Sequence, residues 1–368
     1  MSQSLPQSAA AALRAARSLE NTPALAGFDG FIDTICHAVA KRHDAQNYDR
    51  ILTLREFGER IAAAAGQSTN IEIVPTLVKL GGNGPIMANA LSALGVPVTY
   101  CGMTGHPNTH PVFEEFGQTT RLLPICEPAL TDAYEFDDGK LIVGKHATVA
   151  EVSYENLLGR VGEAAWFEAW EGAKFVAMVN WTMLPYMTAL WQKMLEFAPS
   201  AQRKTMFFDL ADPEKRSRED ILEALETIAA FQANHDVILG LNEKEAIQVG
   251  ETLDLPTPVG EVTSHQTAPE LADAIRARLE IGTVVVHPTR FAAAANAQSA
   301  VAVDGPFVAK PKISTGAGDH FNAGFCLGQL IGASLQESLQ IGVGTSGFYV
   351  RNASSPTRAE LAGFLETL

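Results

Sequence analysis

Short apolar runs alternate with segments of helical periodicity along most of this chain. Six of the runs have the length of a buried strand, at residues 24–28, 98–102, 175–179, 206–208, 237–239 and 284–286. Strands that are apolar throughout and separated by helical segments are typical of a mostly parallel sheet with helices on both faces. The pattern therefore predicts an α/β fold.

Polar residues follow several of these runs, directly or within three residues. Asn180, Asp209, Asn242 and His287 each stand at the carboxyl end of a predicted strand. In an open α/β sheet the ligand crevice lies beyond those ends. We therefore expect these side chains to converge on one cleft.

Two glycine-rich turns each join a predicted strand to a predicted helix. One reads STGAGD at residues 314–319, and the other reads GGNGP at residues 81–85. The first N–H groups of a helix have no intrahelical acceptor, and glycine lets an anion approach them closely. The amides of Gly316, Ala317 and Gly318 are therefore expected to form an anion hole, with Asp319 beside it as a base. An ordinary loop with an Asp N-cap, or a plain tight turn at 81–85, is the structural alternative.

Four motifs, in this order, resemble those of the ribokinase-like, or PfkB-type, carbohydrate kinase family. They are GFDGFID at 27–33, GGN at 81–83, NEKE at 242–245 and GAGD at 316–319. The resemblance implies a three-layer α/β/α fold with a mostly parallel central sheet and a small β-sheet lid. It implies a single domain over residues 1–368, with lid segments at approximately 30–48 and 103–150.

The lid has its own pattern in the sequence. Residues 131–136 and 140–145 are rich in β-formers and flank Asp137-Asp138-Gly139, which predicts a β-hairpin. With residues 34–42, this hairpin is expected to form the lid over the sugar. An exposed lid edge can pair with a second copy of the chain, so a homodimer through the lid is a further expectation.

The resemblance also assigns an activity and roles to residues. It implies ATP-dependent transfer of the terminal phosphate to a hydroxyl of a sugar or sugar-like substrate, with Asp319 as the base. The sugar is expected to contact Asp29, Asp33, Gly82 and Asn83, the nucleotide to contact Asn242, Thr315, His287 and Asn352, and Glu245 to position Mg²⁺ largely through water. For Asp29 and Asp33, a role in a turn or a helix N-cap is the alternative.

Two other functions stay open. Residues 28–35 and 86–89 also resemble ADP-dependent sugar kinases, but the chain is shorter than is typical there, which favours ATP. A member that binds sugar or nucleotide without catalysis is the second alternative, against which Asp319 argues. Ile313 and Ser314 replace the Asp-Thr pair common in the family, so activation by a monovalent cation is not expected. Specificity depends on lid side chains, so the acceptor is left open among ribose, fructose, a keto-deoxy sugar acid and a nucleoside.

Composition narrows the classes of function. The 368 residues carry a formal net charge of −15, which argues against nucleic-acid binding, because that normally needs a basic surface. No long uncharged apolar run predicts a membrane span, and the first twenty residues do not resemble a secretion signal, so we expect a cytoplasmic protein. The four cysteines are scattered, which predicts buried thiols rather than disulfides or a zinc site.

One further motif has a structural interpretation. Residues 342–347 spell G-x-G-x-x-G, but the preceding residues 335–341 have a helical pattern, whereas a dinucleotide fingerprint needs a strand before it. We therefore expect close helix packing at these glycines.

Overall fold

A computed structural model of the chain describes residues 4–16, 18–197, 202–258 and 263–368. The strands are β1 (Ala24–Phe28), β2 (Phe31–Arg42), β3 (Tyr48–Arg50), β4 (Ile73–Gly81), β5 (Val98–Gly102), β6 (Thr120–Pro124), β7 (Ala129–Phe136), β8 (Gly139–Lys145), β9 (Phe175–Met178), β10 (Thr205–Asp209), β11 (Asp236–Leu241), β12 (Thr283–Val286), β13 (Phe291–Asn296) and β14 (Ala300–Asp304). The α-helices are α1 (Leu5–Ala15), α2 (Leu54–Ala62), α3 (Asn83–Ala93), α4 (Glu114–Gly117), α5 (Tyr154–Asn156), α6 (Glu163–Gly172), α7 (Met187–Phe197), α8 (Arg218–Phe231), α9 (Glu243–Thr252), α10 (Thr267–Leu279), α11 (Ala317–Leu330), α12 (Leu335–Asn352) and α13 (Arg358–Glu366).

The large sheet contains nine strands in the order β14-β13-β12-β11-β10-β9-β1-β5-β6. All pairs from β12 to β6 are parallel, whereas β13 and β14 are antiparallel additions at one edge. Neighbouring residues of β1 enter different cores: Ala24 and Ala26 pack with α1, α3 and α11–α13, and Leu25 packs with α6–α10. The predicted α/β/α layers are thus confirmed.

The small sheet has the order β3-β2-β7-β8, with β4 antiparallel to β2. The predicted hairpin is β7–β8, paired up to Phe136 and Gly139. Two strands depart from the expected lid segments 30–48 and 103–150. β6 (Thr120–Pro124) belongs to the large sheet, and β4, outside both segments, belongs to the small one. The apolar content of β4 does not indicate which sheet the strand joins, because Leu77 and Val78 are half exposed despite their hydrophobicity.

The chain passes from the large sheet to the small sheet through only two residues, Asp29 and Gly30, between β1 and β2. This short connection places the small sheet beside the carboxyl ends of the parallel strands. Residues of both sheets therefore line one cleft, which lies where such folds bind ligands.

The glycines at 342–347 lie inside α12, as expected. A Cβ atom at Gly342 would come 2.8 Å from the Phe321 ring of α11, and one at Gly344 would come 2.7 Å from Leu365 of α13. The small residues thus let three helices pack closely. All four cysteines are buried and unpaired. Within the described ranges, no helix is long and apolar enough to cross a membrane.

Candidate active site

Asp319 lies in the first turn of α11 and lines the cleft between the two sheets, here called the polar cleft. Gly316 precedes the helix in a left-handed conformation with φ of 87°. Asp319 is only 7% exposed, and this burial, together with the nearby carboxylates of Asp29 and Glu245, raises its pKa to about 8. A carboxyl group that titrates near neutral pH is suited to general base catalysis.

The N–H groups at the start of α11 differ in availability. Ala317 donates to the carbonyl of Ser314 at 3.1 Å, so its amide is used within the turn. The amides of Gly316 and Gly318 have no acceptor within the part of the chain that the structure describes. The expectation that Ala317 is a donor of the anion hole is therefore corrected. The amides of Gly316 and Gly318 remain available to a ligand.

The second glycine turn faces the first across the polar cleft. Gly82 has φ of 100° and precedes α3, and Gly82 and Asn83 both line the cleft. The Asn83 side chain donates from Nδ2 to Oδ1 of Asp319 at 3.0 Å. The two remote glycine motifs therefore meet in one cleft.

Asp29 is completely buried behind this turn. Its carboxylate accepts hydrogen bonds from the backbone N–H groups of Asn83 at 2.9 Å and Gly84 at 2.8 Å, so it caps α3. Asn180 Nδ2 donates to it at 2.6 Å, and the Tyr100 hydroxyl lies at 3.3 Å. Burial outweighs these bonds and raises its pKa to about 6. Asp29 does not line the cleft, so the expected sugar contact is corrected. Neither is Asp29 the N-cap residue of a helix, since Gly82 has that position in α3; its carboxylate satisfies the first N–H groups of α3 from a remote part of the chain.

Asp33 occupies a different environment on β2. In register it lies between Lys79 of β4 and Thr131 of β7, on the same face of β2 as Phe31. Phe31 and Thr131 line the polar cleft, so Asp33 faces the same side at its edge. No hydrogen bond to its carboxylate is found among the described residues. Burial raises its pKa, while Lys79 and Lys140 oppose the shift.

The NEKE motif forms a capping box at the start of α9. Asn242 Oδ1 accepts from the Glu245 amide at 3.0 Å, and Glu245 Oε2 accepts from the Asn242 amide at 2.8 Å. The other Glu245 oxygen accepts from the Asp212 amide at 2.9 Å. Glu245 is 4% exposed, and burial raises its pKa in spite of these bonds. The motif therefore holds a buried carboxylate at the wall of the polar cleft.

A second cavity, here called the apolar cavity, adjoins the polar cleft at the α11 turn. Their volumes are about 430 Å³ and 450 Å³ respectively. Asn242, His287 and Gly318 line both. The apolar cavity is otherwise formed largely by Phe291, Pro306, Phe307, Phe321, Val343 and Val350. Its size and apolar walls suit a flat heterocycle. Burial lowers the pKa of His287 to about 4, so its imidazole is neutral.

Thr315 and Asn352, two expected nucleotide contacts, line neither cavity. Thr315 accepts a hydrogen bond from the Tyr349 hydroxyl through its carbonyl at 3.0 Å. The Asn352 amide turns back onto its own helix and donates to the Phe348 carbonyl at 2.9 Å. The structure therefore does not bring their side chains to the site.

Other polar residues complete the cleft. Asn180, Asp209 and Lys215 line it, and the two that end strands were expected there. Asp209 accepts from Asn322 Nδ2 at 2.8 Å, and its pKa is raised well above the usual range by burial and by the Glu245 and Asp319 carboxylates. Asn322 follows Asp319 by three residues on α11, a spacing that places both on one helix face and that sequence reasoning missed. Lys215 lies in no periodic pattern that would indicate its place in the cleft from the sequence.

The charge in the polar cleft suits a divalent cation without forming a closed cage. Asp209, Glu245 and Asp319 are buried there, and Lys215 is the one Lys or Arg among the lining residues. Within the described ranges, no group of three or more His, Cys, Asp or Glu side chains is arranged to hold a metal. Mg²⁺ is usually held by one or two carboxylates, phosphate oxygens and water. These residues therefore fit a magnesium ion that is bound together with a nucleotide.

Comparison with known proteins decides the family. Residues 7–368 match the family model described as prokaryotic ketohexokinase. The chain belongs to the prokaryotic ketohexokinase family. A ketohexokinase from Haloferax volcanii is 29% identical over 345 residues, which cover 92% of this chain and 90% of the relative. This member of the family is accordingly a carbohydrate kinase, and the resemblance found in its motifs is confirmed.

Solved structures confirm the ribokinase-like fold. Ribokinase from Thermotoga maritima has a TM-score of 0.61 at 15% identity, covering 94% of this chain and 99% of its own. A variant of phosphofructokinase-2 from Escherichia coli has a TM-score of 0.62 at 14% identity, covering 95% and 99%. Ribokinase from Arabidopsis thaliana, complexed with ribose and ATP, has a TM-score of 0.63 at 16% identity, covering 94% and 99%.

Proposed function

We propose that this protein transfers the terminal phosphoryl group of ATP to a hydroxyl of a ketohexose. The observation that carries the proposal is the junction of the two cavities at the start of α11, where Asn242, His287 and Gly318 belong to both. A nucleotide base in the apolar cavity and a sugar in the polar cleft would direct their reacting groups to Asp319. The name of the Haloferax relative supports a ketohexose as the acceptor.

Asp319 is the proposed base. As a sugar oxygen forms its bond to the terminal phosphorus, the bond from that phosphorus to the bridging oxygen breaks, and ADP leaves. The proton of the sugar hydroxyl passes to the Asp319 carboxylate. Asn83, which donates to Oδ1 at 3.0 Å, holds that carboxylate in place and leaves the other oxygen for the substrate.

The open amides of Gly316 and Gly318 are the proposed anion hole. They lie at the N-terminus of α11, where the helix dipole adds positive potential. Such fixed donors stabilise charge that develops on the transferring group. Magnesium, when bound, would neutralise phosphate charge. Glu245 and Asp209 are the carboxylates that would hold the hydrated magnesium ion.

The sugar is proposed to contact Asp33, Gly82 and Asn83. The Asp33 carboxylate faces the cleft side of the small sheet, and the other two residues line the cleft directly. Closure of the small sheet over the sugar would exclude water, which otherwise competes as the acceptor. A single domain with the small sheet as its lid is the organisation that this proposal requires.

The test is phosphoryl transfer by the purified protein with ATP or ADP as the donor. The acceptors are D-fructose, two other ketohexoses, D-glucose, D-ribose, a keto-deoxy sugar acid and a nucleoside, each with and without Mg²⁺. We expect turnover with ATP, Mg²⁺ and a ketohexose. Turnover with ADP but not with ATP would identify ADP as the donor. Binding without transfer to any acceptor would make the protein a non-catalytic member of the family.

The small sheet also supports a homodimer. Leu77, Val78, Leu130, Ile142 and Val143 are large hydrophobic residues on it, and each is at least 41% exposed. Burial of these side chains against a second copy would remove apolar area from water. Light scattering coupled to gel filtration measures the oligomeric state of the wild type and of Leu130→Glu. A wild-type protein that is a monomer, with the same mass as Leu130→Glu, would contradict the homodimer. The use of ATP supports the expected cytoplasmic location.

A further inference from the structure

A buried histidine supports the anion hole from the side away from the cleft. His320, the residue after Asp319, is 2% exposed. Its Nδ1 lies 2.7 Å from the carbonyl oxygen of Gly316, and its Nε2 lies 2.8 Å from the hydroxyl of Ser355. Because a carbonyl can only accept, Nδ1 carries the proton, and Nε2 accepts from the Ser355 hydroxyl. Burial lowers the pKa of His320 to about 4, which keeps the ring in this neutral form.

Tyr349 of α12 contacts the same turn. Its ring stacks on His320 with a centroid distance of 3.6 Å and an interplanar angle of 13°. Its hydroxyl donates to the carbonyl of Thr315 at 3.0 Å. His320 and Tyr349 thus hold two successive carbonyl groups of the turn, those of Thr315 and Gly316.

These two bonds fix the direction of the turn amides. In a planar trans peptide unit, the C=O and N–H groups point in opposite directions. The bond from Tyr349 to Thr315 therefore orients the N–H of Gly316. The Gly316 carbonyl accepts from both Nδ1 and the backbone N–H of His320, the latter at 3.0 Å, and these bonds orient the N–H of Ala317, which donates to Ser314. Gly316, at φ of 87°, is the residue with the most backbone freedom here, so it gains most from being held.

We propose that Tyr349 and His320 are positioning residues on the two sides of Gly316: Tyr349 orients the Gly316 N–H through the Thr315 carbonyl, and His320 holds the Gly316 carbonyl. Together they fix the backbone of this flexible residue, so that its N–H keeps its place for the transferring phosphoryl group and acts on the chemical step. This inference rests on the proposed function. The Tyr349 hydroxyl and the His320 ring N–H donate to carbonyls of the turn itself. Residues that only filled the core would leave those carbonyls without a side-chain donor. Loss of either bond therefore lowers turnover and leaves the affinities for both substrates nearly unaltered.

Two substitutions of one residue separate this role from general stability. In His320→Asn, the side-chain amide reaches the position of Nδ1 and keeps the bond to Gly316. In His320→Gln, the amide reaches the position of Nε2 and keeps the bond to Ser355 instead. Both variants lose the ring that stacks on Tyr349. We expect His320→Asn to retain kcat within about 3-fold, and His320→Gln to lose about 10- to 100-fold, with both KM values within about 2-fold of wild type.

A third variant and a control complete the experiment. Tyr349→Phe keeps the ring but removes the donor to Thr315, and we expect kcat to fall about 10-fold even if His320→Gln fails to fold. His235→Gln is the control, because His235 is also buried, at 4% exposure, and lies at the start of β11, the opposite end of the sheet. It should lower the melting temperature without lowering kcat.

The outcomes are distinct. Equal kcat values for His320→Asn and His320→Gln, together with unaltered turnover in Tyr349→Phe, would overturn the positioning role while leaving the proposed function intact. A fall in kcat that followed melting temperature across all variants, the His235 control included, would also overturn it. A wild-type protein that transfers phosphate from neither nucleotide would reject both proposals.

Discussion

The two glycine turns at the cleft have similar sequences, yet one is closed and the other is open. At α3, the N–H groups of Asn83 and Gly84 donate to the carboxylate of Asp29. At α11, the amides of Gly316 and Gly318 have no acceptor in the part of the chain that the structure describes. The protein's own carboxylate thus fills one anion site, which makes the turn a rigid support. The other is the anion hole of the proposed function.

Asp319→Asn should have the largest effect, because it removes the proposed base beside the open turn. We expect kcat to fall about 10³-fold, in the range of general base catalysis, with the nucleotide Kd within about 3-fold. Steady-state kinetics and calorimetric titration with ATP measure the two quantities. Retention of fast turnover would refute the base assignment.

Asp29→Ala opens the closed turn. The change leaves the N–H groups of Asn83 and Gly84, and the side chain of Asn180, without their acceptor in a buried place. We expect the free energy of unfolding in urea to fall by about 2–4 kcal/mol. Asp33→Ala is the matched control, because its carboxylate accepts no hydrogen bond among the described residues, and it should lower stability far less. Equal losses in the two variants would contradict the capping role of Asp29.

Gly84→Ala and Gly318→Ala probe equivalent positions, each the second residue of its helix. A Cβ at Gly84 would lie 2.3 Å from the Tyr100 hydroxyl and 2.5 Å from Asp29, so this variant should lose about 2 kcal/mol of stability or more. A Cβ at Gly318 would meet only the His287 ring, at 3.3 Å. Gly318→Ala should therefore fold normally but lose about 10- to 100-fold in kcat, because the methyl group enters the proposed anion hole. Thermal melts and kinetics of both variants are the measurements, and the opposite assignment of defects would refute the distinction.

The last prediction concerns proton binding by Asp319. The pKa of Asp319 in the folded protein is raised to about 8, so the folded state binds this proton more tightly than the unfolded state. The stability that this proton contributes is therefore full below the unfolded pKa of about 4 and is lost as the pH rises through about 8. Asp319→Asn removes this loss, so its melting temperature should exceed that of wild type by more at pH 8.5 than at pH 5. For the wild type, kcat/KM should rise with pH up to about 8. A difference in melting temperature that did not vary with pH would contradict the raised pKa.

Much of the fold was predictable because its signals are local. The runs at 24–28 and 98–102 became β1 and β5 without a change of bounds, since fully buried parallel strands must be apolar throughout. β4 was left outside the expected lid segments, because its pairing with β2, rather than its composition, assigns it to the small sheet.

The placement of residues in the cleft was predictable where glycines and a carboxylate adjoin in the chain, as at Asp319, whose role as the base stays a prediction. It was not predictable where the partner is remote. Asp29 precedes Gly84 by 55 residues, and nothing local indicates that its carboxylate caps α3 rather than faces a ligand. The hydrogen bonds of Ala317 and Thr315 were not predictable either, because the sequence does not indicate which peptide groups of the turn are used within the protein.

Shared walls constrain how this enzyme can diversify. Asn242, His287 and Gly318 line both cavities, so under the proposed function a substitution at any of them alters donor and acceptor recognition together. Thr131 and Ile142 line only the polar cleft. New acceptor preferences are therefore most readily acquired on the small sheet, where evolution or engineering can retune one partner without disturbing the other.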